Sequence, residues 1–314
     1  MHNAGDLVPA VSVRRQSLSE MRGLFRERFR WLIDLWHKPL GVTSLVFLLL
    51  VAVAAVFSET LAPYDPLESH VADRLLGPSI QYLFGTDQLG RDVLSRIIFG
   101  ARQSMRIGAT VVGLIALIGT AVGVASGYFG GKFDLVVQRI VDAMQAMPGL
   151  ILAMALVSIT GAGTLQVIFA ITVVATPSYS RVIRSAVLPV KENQYVEAAK
   201  ALGAGDTRIV LRHVLPNIVA PILVLVSTSF GLAILTEGSL SFLGLGTPPP
   251  TPSWGNMIGG DARRFLESAP TLSLFPGLAI TLSVLAFNLL GDALRDVLDP
   301  RSVRHIAASS RLAK

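Results

Sequence analysis

Asn193-Gln-Tyr-Val-Glu-Ala-Ala-Lys-Ala-Leu-Gly203-Ala-Gly-Asp206-Thr-Arg-Ile-Val-Leu-Arg-His213-Val-Leu-Pro216 is the stretch on which the reading of this chain turns. Asn193 can cap a short helix. Tyr195, Ala198, Ala199 and Leu202 follow at i, i+3, i+4 and i+7, which places them on one helical face. Gly203 is the residue type expected where a helix stops in the left-handed region. Asp206 can cap a second helix. The segment therefore reads as helix, sharp turn, helix. Two alanines on the first face let another surface approach closely, and Glu197 adds a charged contact beside them. Taken alone, the pattern also suits an ordinary helical hairpin.

Working outward, both flanks are apolar. A membrane-crossing helix needs roughly 20 mostly apolar residues, because ~30 Å of hydrocarbon is crossed at ~1.5 Å per residue. Six segments meet this test: residues 40–57, 107–129, 135–159, 165–186, 214–235 and 272–290. They lack the period-two alternation of a membrane barrel. Hydrophobic residues make up 52% of the chain and charged residues 15%, well below the ~25% usual in soluble domains. The expectation is an all-α integral membrane protein with six spans. Cysteine is absent, which excludes disulfides, thiolate metal sites and cysteine nucleophiles.

Charge placement sets the orientation. With the N-terminus inside, 20 of the 27 Lys and Arg fall on the cytoplasmic side and seven outside. The seven are Arg74, Arg91, Arg96, Arg102, Arg106, Arg263 and Arg264. The bias predicts that both termini are cytoplasmic. The expected divisions are a cytoplasmic N-terminal segment (1–39), a first span with its outer loop (40–101), a permease domain (102–291) and a cytoplasmic tail (292–314).

Leu18, Met21, Phe25, Phe29, Leu32 and Trp36 recur at three- and four-residue spacing, with Arg22, Arg26 and Arg30 on another face. This is a basic amphipathic helix suited to the inner membrane surface, as an anchor or as an elbow around a partner. Residues 87–105 read as an interfacial helix feeding the second span, with a substrate contact as the alternative. After the fifth span, Pro248-Pro249-Pro250 and Pro252 cannot be helical. Pro249 and Trp254 mark a stiff outer segment, either a docking surface or a rigid connector packed over the spans.

Asp142 lies near the start of the third span. An ionisable group there faces protein or water, so it is a candidate pathway or gate residue, or it pairs with Arg139 one turn away. Ser227, Thr228 and Ser229 can line a polar path or bond to their own helix carbonyls. No phosphate loop is present, since Gly130-Gly131-Lys132 is followed by Phe. The five histidines show no metal-ligand spacing and no Gly-x-Ser-x-Gly elbow occurs, so neither a metal site nor a catalytic residue is expected.

Glu197-Ala198-Ala199, Gly203 and Leu215-Pro216 resemble the EAA loop of type-I ABC import permeases. His213 stands where the general pattern has Ile, and the peptide branch of that family carries the same Arg-His-x-Leu-Pro run. Four further motifs look like the C-type permease subunit of dipeptide, oligopeptide, glutathione and nickel importers. They are Phe84-Gly-Thr-Asp-Gln-Leu-Gly-Arg-Asp-Val-Leu-Ser-Arg96, Gly127-Tyr-Phe-Gly-Gly131, Leu240-Ser-Phe-Leu-Gly-Leu-Gly246 and Gly291-Asp-Ala-Leu-Arg-Asp-Val-Leu-Asp-Pro300. The resemblance implies the type-I permease fold and a multi-pass place in the cell inner (plasma) membrane. It implies a coupling helix seated on an ATPase. The implied partners are a homologous permease subunit, two ABC ATPase subunits that use ATP and Mg, and an extracytoplasmic solute-binding protein, with lipid around the spans and no nucleic acid. Short peptides are the implied cargo, with nickel or a metal chelate as the alternative within the family. An ion-coupled secondary transporter is the alternative outside it.

Overall fold

The computed structural model describes residues 35–298. Their regular structure is helical, apart from a single bridge between Thr86 and Asp92. The amphipathic helix expected over residues 18–36 lies almost wholly outside the described residues, as does the end of the tail. The long helices are α1 (Pro39–Val56), α3 (Val93–Phe129), α4 (Gly131–Gln145), α5 (Gly149–Thr160), α6 (Thr164–Lys191), α9 (Val219–Phe242) and α11 (Thr271–Leu298). Short ones are α2 (Ser58–Leu61), α7 (Gln194–Ala201), α8 (Asp206–Ile209) and α10 (Trp254–Ile258).

Local chemistry explains the boundaries. Pro39 sits in the first turn of α1, where a missing N–H breaks no helical bond. Asp92 caps α3, its carboxylate accepting from the Ser95 N–H at 2.8 Å and the Ser95 hydroxyl at 2.7 Å. α3 then runs 37 residues, about 55 Å at ~1.5 Å per residue, and stops at Gly130 with φ +66°. The stretch expected as a separate interfacial helix is thus mostly the first turns of α3. The divisions expected at 101/102 and 291/292 fall inside α3 and α11 and mark no break in the backbone.

Among the described residues, five helices are long and apolar enough to cross a membrane: α1, α3, α6, α9 and α11. The third expected span is broken. It is not one helix but α4 and α5, bent by 87°. Pro148 explains the break. It has no N–H for the ladder, and it drives the preceding residue away from helical geometry. α5 has 12 residues, or about 18 Å, which is too short to cross alone.

Exposed Leu49, Leu50, Val53, Leu117, Leu282 and Leu285 give the bundle an apolar exterior. In a bilayer no hydrophobic gain separates that exterior from the inside, so helix association rests on close packing. α3 packs most extensively on α6, and α9 on α11, while α1 rests on α11 and α3. At the first contact Gly123 and Gly127 of α3 replace side chains. A Cβ on Gly123 would stand 2.8 Å from the Ile183 Cβ, and one on Gly127 would stand 2.9 Å from the Val187 Cβ. Ile107, Val111, Ile115, Val167 and Ile183 fill the core beside this seam. Lys38, just before α1, pairs with Asp296 of α11 at 2.8 Å, so the chain enters and leaves the bundle at the same end.

Candidate coupling loop and pathway

α7 stands out from the bundle on a fixed base. Val196 is its anchor, fully buried in the core with Ile209, Val214 and Ile218 from the following turns. Ala199 also turns inward, which corrects its expected place on the outer face. Glu197, Ala198, Ala201 and Leu202 remain exposed, Leu202 at 88%. Gly203 ends the helix with φ +78°. Its N–H donates to the Lys200 carbonyl at 2.9 Å, and the Ala204 N–H donates to the Ala199 carbonyl at 3.0 Å. These two bonds form a Schellman stop. Nothing lies within 4 Å of a Cβ built on Gly203, so the need for glycine is conformational rather than spatial.

Two expected caps act differently. The Asn193 side chain does not cap α7. Its Nδ2 donates backwards to the Pro189 and Val190 carbonyls, at 3.1 and 3.2 Å, and closes the end of α6. Asp206 is the first residue of α8 rather than its cap. Its carboxylate accepts from the Tyr128 hydroxyl at 2.7 Å, and so ties the loop to the far end of α3. Lys200 lies 5.4 Å above the same tyrosine ring, and the Lys191 Nζ donates to the Gly127 carbonyl at 2.8 Å. The chain then passes through a π turn (Val210–Val214) and a 3-10 turn (Leu215–Asn217) into α9. Leu215 is half-buried against the core and Pro216 is exposed.

Asp142 belongs to the first arm of the bent pair. It lies on α4 before the 87° break, is half exposed, and pairs with Arg181 of α6 rather than with Arg139. Asp134 makes a parallel link, accepting from the Arg184 Nε at 2.6 Å and from the Ser126 hydroxyl. Two Asp on α4 thus hold two Arg on α6.

The polar run in α9 divides. Ser227 is buried and donates to the Phe287 carbonyl of α11 at 2.7 Å, which corrects its expected place on a path. Ser229 and Thr228 line a cavity of about 500 Å3 between α3, α5, α6 and α9. Ser178, Thr236 and Ser239 add hydroxyls to an otherwise largely apolar lining that holds no Asp, Glu, Lys or Arg. Asp142 does not reach it.

Trp254 is corrected as an exposed docking residue. Its side chain is 2% exposed, and its indole N–H donates to the Ile97 carbonyl at 3.0 Å. Ser253 and Asn256 form a capping box that starts α10 over this anchor. Pro249 stays exposed on the rim. Beneath this connector lies Glu237, 1% exposed, its Oε1 accepting from the Ser241 hydroxyl at 2.8 Å and the Ser253 hydroxyl at 3.1 Å. Sequence reading passed over Glu237 because it ended the fifth span at residue 235. The helix runs to Phe242.

Known proteins resemble this chain in sequence and in fold. Residues 119–304 match the family described as the binding-protein-dependent transport system inner membrane component. Residues 28–78 match the N-terminal TM domain of oligopeptide transport permease C. The dipeptide transport system permease protein of Alkalihalophilus pseudofirmus is 41% identical over 277 residues, covering 88% of this chain and 90% of the relative. The glutathione transport system permease protein of Escherichia coli is 43% identical over 278 residues, covering 88% and 89%. A solved structure of the MetNI methionine ABC transporter, in an inward-facing conformation, superposes with a TM-score of 0.55 at 20% identity, covering 66% of this chain and 97% of that one. This chain belongs to the family of multi-pass inner-membrane permease components of binding-protein-dependent transport systems.

Proposed function

We propose that this chain is one of two membrane subunits of an ATP-driven importer of short peptides, and that α7 is where an ATPase subunit engages it. The observation that carries this reading is the build of α7. Its outer face offers Glu197, Ala198 and Leu202 to a partner, while Val196, the Gly203 stop and the Tyr128–Asp206 bond fix it to two spans. A short helix held in this way passes a push at its face into both spans. ATP and Mg belong to the ATPase subunits, since this chain has no phosphate loop. A homologous permease completes the pathway, and a solute-binding protein delivers cargo on the outer side, with both termini of this chain in the cytoplasm. Peptide cargo follows the named relatives, which serve dipeptides and glutathione. The uncharged, hydroxyl-bearing cavity suits backbone amides.

Affinity purification of the tagged chain in mild detergent, with mass spectrometry of what accompanies it, tests the assembly. Recovery of a second permease and two ATPases is expected. In vesicles holding that assembly, Glu197→Lys should abolish ATP-dependent dipeptide uptake while the chain stays inserted. Uptake by the chain alone without ATP, or undiminished uptake by Glu197→Lys, would refute the proposal.

A further inference from the structure

α3 joins two different sites. Tyr128, near its last residue, holds the α7 loop, and Val93, its first, lines a second cavity of about 380 Å3. The two residues are about 50 Å apart along the helix at ~1.5 Å per residue. The second cavity lies between the loop before α3, the proline run and α10, at the opposite end of the bundle from α7. Its lining sets Asp87, Arg91 and Arg96 beside apolar Val93, Met257 and Leu272. Its volume falls at the lower end of the range for small-molecule pockets.

Two guanidinium groups face this cavity. Asp87, Arg91 and Arg96 are 6%, 8% and 7% exposed, and the nearby buried carboxylate of Asp92 is committed to the Ser95 N–H and hydroxyl. Asp87 is already heavily used. Its Oδ1 accepts from the Leu89 and Arg91 N–H groups at 2.8 and 3.0 Å, and its Oδ2 accepts from the Arg91 Nε at 2.7 Å. Arg96 stands 3.5 Å from the same oxygen and donates through one terminal nitrogen to the Pro66 carbonyl at 3.0 Å. The Arg91 side chain donates only through Nε, and its two terminal nitrogens have no hydrogen-bond partner among the described residues. A buried cation with unused donors gains most from an anion that takes the open side of the fork.

The geometry points to a carboxylate-binding site, in which Arg91 receives the terminal carboxylate of a short peptide and Val93, Met257 and Leu272 receive its last side chain. The identity of the guest rests on the peptide-import reading. The site itself rests on the cavity and the open fork of Arg91. On that reading it lies on the outer face, where cargo arrives, and it requires a free C-terminus before cargo enters the spans. Arg91 would be a specificity residue, with Asp87 and Arg96 holding it in place.

The test compares Ala-Ala with its C-terminal amide, binding to the full chain in lipid nanodiscs, followed by NMR line broadening of the ligand. Charge-assisted hydrogen bonds of this kind predict a roughly 10- to 100-fold weaker affinity for the amide. Arg91→Gln should erase the difference, and Arg91→Lys should restore only part of it, because an ammonium lacks the planar fork. The acid–amide comparison on the unmodified chain needs no variant to fold. Equal affinity for acid and amide, or no binding of Ala-Ala, would overturn the site. Dipeptide uptake by the assembled complex separates the two readings. Uptake without acid preference overturns the site and leaves the importer, whereas acid preference without uptake supports the site and overturns the importer.

Discussion

Replacing Gly203 offers a graded test of whether α7 works as a fixed lever. With φ at +78° and nothing within 4 Å of where a Cβ would stand, alanine meets no clash there. Its cost is that of a left-handed L-residue, about 1–2 kcal/mol. Part of that, about 0.4–1 kcal/mol, is offset because alanine restricts the unfolded chain more than glycine does. The net is about 1 kcal/mol, or about a fivefold shift in the equilibrium between ordered and frayed loop. Asparagine tolerates the left-handed region and should cost a few tenths of that. Proline is different in kind. Its φ is locked near −65°, and it removes the N–H that reaches the Lys200 carbonyl at 2.9 Å. The expected order of ATP-dependent uptake in reconstituted vesicles is Gly, Asn, Ala, Pro, with uptake lost at Pro. Thermal midpoints in detergent should fall little across the series, because the loop lies outside the spans. Normal uptake by Gly203→Pro, or alanine as harmful as proline, would refute the lever argument.

Other perturbations probe the rest of the frame. Trp254→Ala should destabilise the fold by about 3–5 kcal/mol, since it empties a buried indole site and removes the indole bond to the Ile97 carbonyl; a loss under 1 kcal/mol in detergent unfolding would contradict the buried placement. Asp134→Arg alone should cost about 1–3 kcal/mol, less than a fully buried pair because Arg184 keeps some water, and the double exchange with Arg184→Asp should recover part of it. Cysteine labelling suits this cysteine-free chain. A cysteine at fully exposed Ile80 should react with an impermeant maleimide in intact spheroplasts, and one at Gly205 only after permeabilisation; the reverse pattern would invert the topology.

What the sequence made legible follows from how local each cause is. The Gly203 stop needs only one residue's backbone freedom, and it forms as expected. Five apolar runs became five long helices because a bilayer leaves the backbone no other partner than itself. The third run went astray although its cause, Pro148, was in plain view, since mean apolarity carries no information about a missing donor. Pairings across helices were beyond reach. Asp142 has Arg139 one turn away in sequence, yet the 87° bend and the packing of α6 bring Arg181 to it instead. Trp254 and Ser227 share that lesson. Each reads as a surface or pathway group by its neighbours in sequence, and each is claimed by a carbonyl on another helix. Glu237 was hidden by a boundary placed two residues short.

The breaks in helical hydrogen bonding decide where this chain can change shape. α3 and α6 meet almost backbone to backbone at Gly123 and Gly127, so sliding one along the other would drive Ile183 and Val187 into main-chain atoms. The Arg184–Asp134 and Lys191–Gly127 bonds brace the same end. α7 is attached quite differently. Before it, Pro189 removes one N–H from the last turns of α6, and Asn193 supplies a side-chain donor to the carbonyls there. After it, helical geometry passes through a π turn and a 3-10 turn within eight residues, up to Asn217. Such turns hold their bonds in poorer geometry than a regular α-helix. α7 is therefore a stiff element between two soft joints, pinned to the core by Val196 and followed by the Asp206–Tyr128 bond to the end of α3. On the proposed ATPase contact, a push on the outer face of α7 moves it at these joints before it bends either span.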